Sequence, residues 1–298
     1  MNLPLNKEFF WKDKLYAHLK LARISNNPTV LTNVLAGAAL SGVFSEALSN
    51  SVVILLVLLM GAMSLFYTAG MYLNDVFDYK IDLKERPERP LPSGQIGINT
   101  ALTLVGVFFL SGLILLAFIG LESFASGLIL VAIIIFYDYW HKTNPLSHYI
   151  MALTRVMVYV TAFFAFSMEP TNKLVIAGLL LFFYVASLTF IAKSETKPDF
   201  SKYWPVLFIF LPAFYFGYQM DIEFLPVVAL FLAWCLYSLT FIYRKENKNI
   251  GGGIVHLIAG ISLLDAMVLA SFGAIWPIII VFLLFGLTRF FQGYIKGS

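Results

Sequence analysis

Cysteine is almost absent: Cys235 is the only one in 298 residues, and it lies in an apolar run. One thiol excludes an intrachain disulfide and a thiolate metal cluster, so cysteine is silent on redox compartment. A small buried apolar residue is the simplest reading of Cys235. Charge is scarce as well, at 12% Asp, Glu, Lys and Arg, and a net charge of +3 is too small to argue for nucleic acid. There are four histidines, and His141 has no second His or Cys at a spacing that suits a metal. The N-terminal stretch MNLPLNKEFFWKDKLYAHLK is polar and charged rather than a short apolar core followed by small residues. A first span that inserts and stays is therefore expected. Nothing reads as a soluble domain, a linker or a low-complexity segment, so one transmembrane domain over residues 1–298 is expected.

What fills the chain instead is apolar surface, 60% of residues, which places it in the membrane class. With roughly 20 apolar residues per span as the criterion, spans fall near 25–45, 50–74, 98–119, 123–140, 147–168, 172–192, 203–219, 224–243, 253–272 and 275–293. The last two are either two spans or one span and a re-entrant helix. Short connections make consecutive helices antiparallel neighbours. The expected fold is an all-α integral membrane bundle of nine or ten transmembrane helices. Bases collect before the first span (Lys7, Lys12, Lys14, Lys20, Arg23) and in alternate loops: Lys80, Lys84, Arg86 and Arg89; Lys142; Lys193, Lys197 and Lys202; Arg244, Lys245 and Lys248; Arg289 and Lys296. The intervening loops carry Lys173 and acids such as Glu46, Glu122, Glu169, Asp221 and Glu223. That asymmetry predicts an even number of spans with both termini cytoplasmic.

Against this apolar background, Asn74 to Gly94 reads NDVFDYKIDLKERPERPLPSG and holds Asp75, Asp78, Asp82, Glu85 and Glu88 with Lys80, Lys84, Arg86 and Arg89 among them. Asn74, Asp78 and Asp82 are four apart, which on a helix stacks them along one face. A row of oxygen ligands suits a hard divalent cation, and Mg²⁺ is commonly held by a few carboxylates plus substrate phosphates. The prolines that follow end the helix, leaving an ordered cap or lid. Arg86 and Arg89 in it meet either an anionic ligand or phospholipid head groups.

Other polar residues sit where apolar ones are expected. Arg23 and Asn27 lie one turn apart around NNPT in the first span and face one cavity, unless Asn27 is only an interfacial N-cap. The fourth span ends in YDYWHK, with Tyr137, Asp138, His141 and Lys142; an interfacial aromatic belt is the alternative there. Arg155 falls inside an apolar run, so it faces the bundle interior or a wet cavity, with Asp265 the obvious acid for a structural pair. The sixth span ends in AKSETKPDF, where Glu195 and Asp199 form a second, thinner acidic cluster interleaved with Lys193 and Lys197. Parity places it on the same membrane face as the first.

NDVFDYKID followed by RPERPLPSG resembles the first signature of the UbiA superfamily of intramembrane prenyltransferases, NDxxDxxxD and its continuation. Asn74, Asp75, Asp78 and Asp82 all match, and the NPT of the first span is similar to the family's first helix. The second signature departs: Ile191 stands where its first Asp falls, and only Glu195 and Asp199 fit. In that respect, and in its LTFIAKSETK and LLDA segments, the chain looks like the divergent Ebo-type (EboC-like) branch.

The resemblance implies a helical bundle around a central cavity, with two acidic loops facing each other and Mg²⁺ between them. It makes Asn74, Asp78 and Asp82, with Glu195 and Asp199, the metal ligands, and Asp78, Asp82 and Glu195 the residues on which turnover depends. Arg23, Asn27, Arg86, Arg89, Lys142, Lys193 and Lys197 would meet the diphosphate, and Tyr137, Asp138 and Arg155 would line the substrate pocket. The implied reaction moves a prenyl group from a prenyl diphosphate to a lipophilic acceptor, aromatic or otherwise, in the inner cell membrane, with Asp138 or Glu195 removing the acceptor's proton. The alternative is a non-catalytic carrier or transporter of a small lipophilic metabolite on the same fold. Membrane lipid is the other expected partner, nucleic acid is excluded, and oligomeric state is left open.

Overall fold

Hydrocarbon offers backbone amides no partners, so a chain this apolar folds into helices that satisfy their own hydrogen bonds. The computed structural model describes residues 7–45, 48–142, 144–194, 204–244 and 246–295. Eleven α-helices and no strand lie among these described residues. They are α1 (Lys7–Leu21), α2 (Pro28–Leu40), α3 (Asn50–Glu85), α4 (Ile98–Ile119), α5 (Leu121–Trp140), α6 (Ser147–Phe163), α7 (Asn172–Ser194), α8 (Trp204–Gln219), α9 (Leu225–Tyr243), α10 (Ile250–Ala270) and α11 (Ile275–Tyr294). Seven helical stretches, carried by α3, α4, α5, α7, α9, α10 and α11, are long and apolar enough to cross a membrane, so the chain is a multi-pass membrane protein. α10 and α11 are both full-length helices, of 21 and 20 residues, rather than a span and a re-entrant turn.

Three elements differ from the sequence-based expectation. The polar stretch before the first span is itself a helix, α1, and the span at 25–45 shortens to the 13 residues of α2. Pro28 starts α2, where its missing N–H costs nothing. Asn27, at the N-cap position, makes no cap bond; its Oδ1 accepts from Ser64 Oγ at 3.0 Å. The most consequential difference is α3, in which the span expected at 50–74 and the helical acidic row after it are one unbroken helix of 36 residues. That is roughly 54 Å of helix against roughly 30 Å of hydrocarbon. The acidic row is therefore the protruding end of a spanning helix.

α10 is the axis of the bundle: 78% of its apolar window is buried, against 33% for α3 and 22% for α4. It packs against α2, α7, α9 and α11, while α2 also packs against α6 and α3. Asp265 of α10 is fully buried and takes donors from three side chains. Thr32 Oγ1 lies 2.5 Å away, Asn33 Nδ2 at 2.8 and 3.0 Å, and Tyr159 Oη of α6 at 2.5 Å. Three donors satisfy a carboxylate that hydrocarbon would otherwise strip of solvent. α2 and α6 meet closely at Gly37, where a Cβ would stand 2.7 Å from the Tyr159 carbonyl oxygen.

Gly37→Val therefore forces α2 from α6 and should cost about 1–3 kcal/mol, read as a lower melting midpoint in detergent. Gly106→Ala, where a Cβ meets nothing within 4 Å, should leave the midpoint unchanged or raise it.

Candidate active site

The last three turns of α3 carry Asn74, Asp75, Asp78 and Asp82, and all four are buried. Carboxylates lose hydration on burial and are tolerated only with opposite charge or donors close by. Three neighbouring segments supply them, one from each side of the row.

The first is the turn between α1 and α2. Arg23 Nη2 lies 3.1 Å from Asp75 Oδ1 and 3.3 Å from Asn74 Oδ1. Its backbone is left-handed, φ 45° and ψ 46°, a region that non-glycine residues rarely occupy. The turn is held there by Tyr67 Oη of α3, which donates to the Arg23 carbonyl at 3.2 Å. Burial opposes the charge on Arg23, but Asp75 together with Tyr67 and Tyr137 offsets it, so the guanidinium pKa is raised.

The second segment is the proline-rich stretch after α3. It folds back on the helix and is anchored by one of its two arginines. Arg89, only 3% exposed, places Nη1 2.6 Å from Asp82 Oδ2 and 3.7 Å from Asp75 Oδ1, and Leu91 and Ile96 are buried beside it. Arg86 is exposed, and only its backbone N–H caps α3, at the Asp82 carbonyl. Arg89 thus binds the acid row itself, and Arg86 lies outside the cluster.

The third is the end of α5. Asp138 Oδ1 accepts from Asn74 Nδ2 at 3.1 Å, Lys142 Nζ lies 3.0 Å from Asp78 Oδ2, and His141 Nε2 is 3.4 Å from Asp78 Oδ1. Tyr137 stacks on His141, ring centroids 5.2 Å apart. Lys193, near the end of α7, donates to the His141 carbonyl at 3.3 Å and to Ser147 Oγ. α7 therefore delivers its C-terminal end to the same mouth. Glu195, Lys197 and Asp199 lie outside the described residues.

A cavity of about 60 Å³ opens beneath the row among α2, α3, α5 and α6, walled by Met63, Phe66, Tyr67, Tyr137, Asp138 and Arg155 among others. It is smaller than the roughly 300 Å³ of a typical small-molecule site; methionines, flexible at three bonds, form part of its wall. Asp138 Oδ2 is buried there with no hydrogen-bond partner. Arg155 Nη1 donates to Asn33 Oδ1 at 3.0 Å, so it reaches Asp265 through Asn33 rather than pairing with it directly. Asn27 is apart from the row: it meets Ser64, ten residues before Asn74 on α3, roughly 15 Å along the helix.

The α3 row offers only hard oxygen donors, and buried Asp78 Oδ1 makes no well-formed hydrogen bond, its contact being His141 Nε2 at 3.4 Å. That donor set fits Mg²⁺, which usually takes one or two carboxylates and fills its remaining positions with water and substrate phosphate. Among the described residues no three acids or histidines close a cage unaided. Two residues that sequence reasoning left without a role, Asp75 and His141, sit inside the cluster. Asp75 is one residue off the four-residue spacing, and His141 has no second ligand near it in sequence, so spacing gave neither a role.

A family profile described as UbiA prenyltransferase family matches residues 30–252. The chain is 33% identical over 135 residues to digeranylgeranylglyceryl phosphate synthase of Sulfolobus acidocaldarius, covering 44% of this chain and 48% of that one. It is 31% identical over 187 residues to the synthase of Sulfurisphaera tokodaii, covering 60% and 63%. These alignments span less than two thirds of those relatives; with the Methanobrevibacter smithii synthase the identity is 25% over 248 residues, covering 71% and 85%. Among solved structures, a UbiA homolog from Archaeoglobus fulgidus bound to GPP and Mg²⁺ shares the fold with a TM-score of 0.63 at 16% identity, over 91% of this chain and 99% of that one.

If Arg89 is what pins the proline-rich segment, Arg89→Ala should speed amide hydrogen exchange at Ser93, Gly94 and Ile96, whose N–H groups bond within that segment, by about tenfold or more, since that needs only about 1.4 kcal/mol of lost local stability. Hydrogen-exchange mass spectrometry reads it; an unchanged rate contradicts the anchor.

Proposed function

The chain belongs to the UbiA prenyltransferase family, and from that premise we propose that it moves a prenyl group from a prenyl diphosphate to a lipophilic acceptor. The observation that carries this reading is the buried row Asn74, Asp75, Asp78 and Asp82, ringed by Arg23, Arg89 and Lys142 at the mouth of an apolar cavity. A carrier of neutral metabolites has no use for such a concentration of paired charge. The relatives' name, digeranylgeranylglyceryl phosphate synthase, favours a hydroxyl-bearing glyceryl lipid over an aromatic acceptor. The distribution of bases supports a mouth and both termini on the cytoplasmic side of the cell membrane.

Asn74, Asp78 and Asp82 would hold Mg²⁺, with Glu195 and Asp199 the further ligands expected from the sequence. When bound, the ion neutralises the leaving diphosphate. Lys142, Arg23 and Lys193 bind the phosphate oxygens from the rim. Arg89 keeps Asp82 and Asp75 in register rather than reaching for the ligand. As the C–O bond to the diphosphate breaks, its electron pair leaves with the diphosphate and positive charge develops on the allylic carbon. The ring faces of Phe66, Tyr67 and Tyr137 stabilise that charge by roughly 0.5–2 kcal/mol each, and the apolar wall keeps water from it. The acceptor oxygen forms the new C–O bond. Asp138 Oδ2, which lines the cavity without a partner, accepts that hydroxyl's hydrogen bond and then its proton.

Purified protein given a labelled prenyl diphosphate, a glyceryl lipid and Mg²⁺ should release pyrophosphate, and EDTA should stop it. Asp78→Asn should lower the rate by about 10²–10³-fold, the scale for removing one charge-stabilising group. Tight binding of the diphosphate with no release in the wild type contradicts the proposal and indicates a carrier.

A further inference from the structure

The reaction leaves one charged residue of the cavity unused. Arg155 is 7% exposed, on α6, inside the bundle, and it lines the cavity together with Asp138. A guanidinium has five N–H donors. Of these, one goes to Asn33 Oδ1 at 3.0 Å, and the face of Tyr67 lies 5.8 Å from the guanidinium carbon. Among the described residues Arg155 forms no ion pair with a carboxylate. The nearby acid, Asp265, is already saturated by Thr32, Asn33 and Tyr159. Those bonds fix Asn33, and Asn33 fixes Arg155, so the guanidinium is preorganised toward the cavity. A cation inside a membrane protein that faces a cavity without a direct counter-ion marks a place where the ligand supplies the opposite charge.

We infer that Arg155 is a specificity-determining residue that binds an anionic head, a phosphate or carboxylate, on the acceptor. The inference rests on the transferase reading above and narrows its acceptor class. The two charged residues of the cavity lining divide the acceptor between them. Arg155 holds the anion by charge-assisted hydrogen bonds, for which guanidinium and oxyanion geometries match. Asp138 Oδ2 accepts from the hydroxyl that reacts. The prenyl diphosphate stays at the rim with Lys142 and Arg23. The neighbouring Thr154 hydroxyl donates to the Met151 carbonyl at 2.7 Å, so it is not free to donate to an anion as well.

The test is binding, measured by microscale thermophoresis on the purified full chain without prenyl diphosphate. The probes are geranylgeranylglyceryl phosphate, its dephosphorylated alcohol and a hydroxybenzoate. The wild type should bind the phosphate at least tenfold more tightly than the alcohol, or bind the hydroxybenzoate if the anion is a carboxylate. Arg155→Met should erase the preference, and Arg155→Lys should keep part of it. Equal affinity of the wild type for phosphate and alcohol, with no binding of hydroxybenzoate, overturns the inference whether or not Arg155→Met folds. So does a preference that survives in a folded Arg155→Met. In turnover, Arg155→Lys should raise KM for the acceptor and not for the prenyl diphosphate. Anion preference without pyrophosphate release sinks the transferase reading alone; release with neither preference nor a KM effect sinks this one alone.

Discussion

Burying three carboxylates on adjacent turns of one helix is unfavourable by several kcal/mol for each ion left alone, and the polar end of this bundle is built around offsetting that cost. Arg23, Arg89 and Lys142 come from three different connections and meet Asp75, Asp82 and Asp78 within hydrogen-bonding distance. Each pairing closes a piece of chain onto α3: the turn before α2, the proline-rich segment, and the end of α5. Charge neutralisation is thus also what shapes the mouth. Under the proposed function it would have a chemical consequence too, because acids held by side-chain cations could exchange them for a metal ion and free those cations for phosphate oxygens.

A second buried carboxylate does for the interior what the row does for the mouth. Asp265 ties α10 to α2 through Thr32 and Asn33 and to α6 through Tyr159. In hydrocarbon, helices gain little from burying apolar surface against one another, so directed polar contacts and close approaches such as Gly37 on Tyr159 carry more of the packing specificity. The cavity wall is assembled from the helices this network fixes, α2 and α6, and from α3 and α5, which the mouth fixes.

Much of this was legible in the sequence because hydrocarbon imposes simple rules. Span positions followed hydropathy to within a few residues for most helices, and the four-residue spacing of Asn74, Asp78 and Asp82 announced one helical face. α1 escaped because a polar helix outside hydrocarbon leaves no hydropathy signal, and the unbroken join of the 50–74 span to the helical acid row escaped because charge was read as the end of a span. Partner choice was harder. Arg86 and Arg89 are alike in sequence, and only the fold-back of the proline-rich segment separates the exposed one from the buried one. The insertion of Asn33 between Arg155 and Asp265 likewise depends on how α2 packs against α6 and α10, which no spacing within one helix encodes. Asn27 shares a turn with Arg23 but turns toward Ser64, a choice made by the left-handed backbone at Arg23.

The central claim is that the acid row of α3 is a cation site completed by a prenyl diphosphate. Electron paramagnetic resonance of Mn²⁺, titrated into the protein with and without a non-reactive thiolo analogue of geranyl diphosphate, tests it most directly. The account predicts weak Mn²⁺ binding alone, tight binding with the analogue, and loss of the tight site in an Asp78→Asn, Asp82→Asn double variant that still melts cooperatively. Mn²⁺ binding that is indifferent to the analogue, or that persists in the folded double variant, contradicts it.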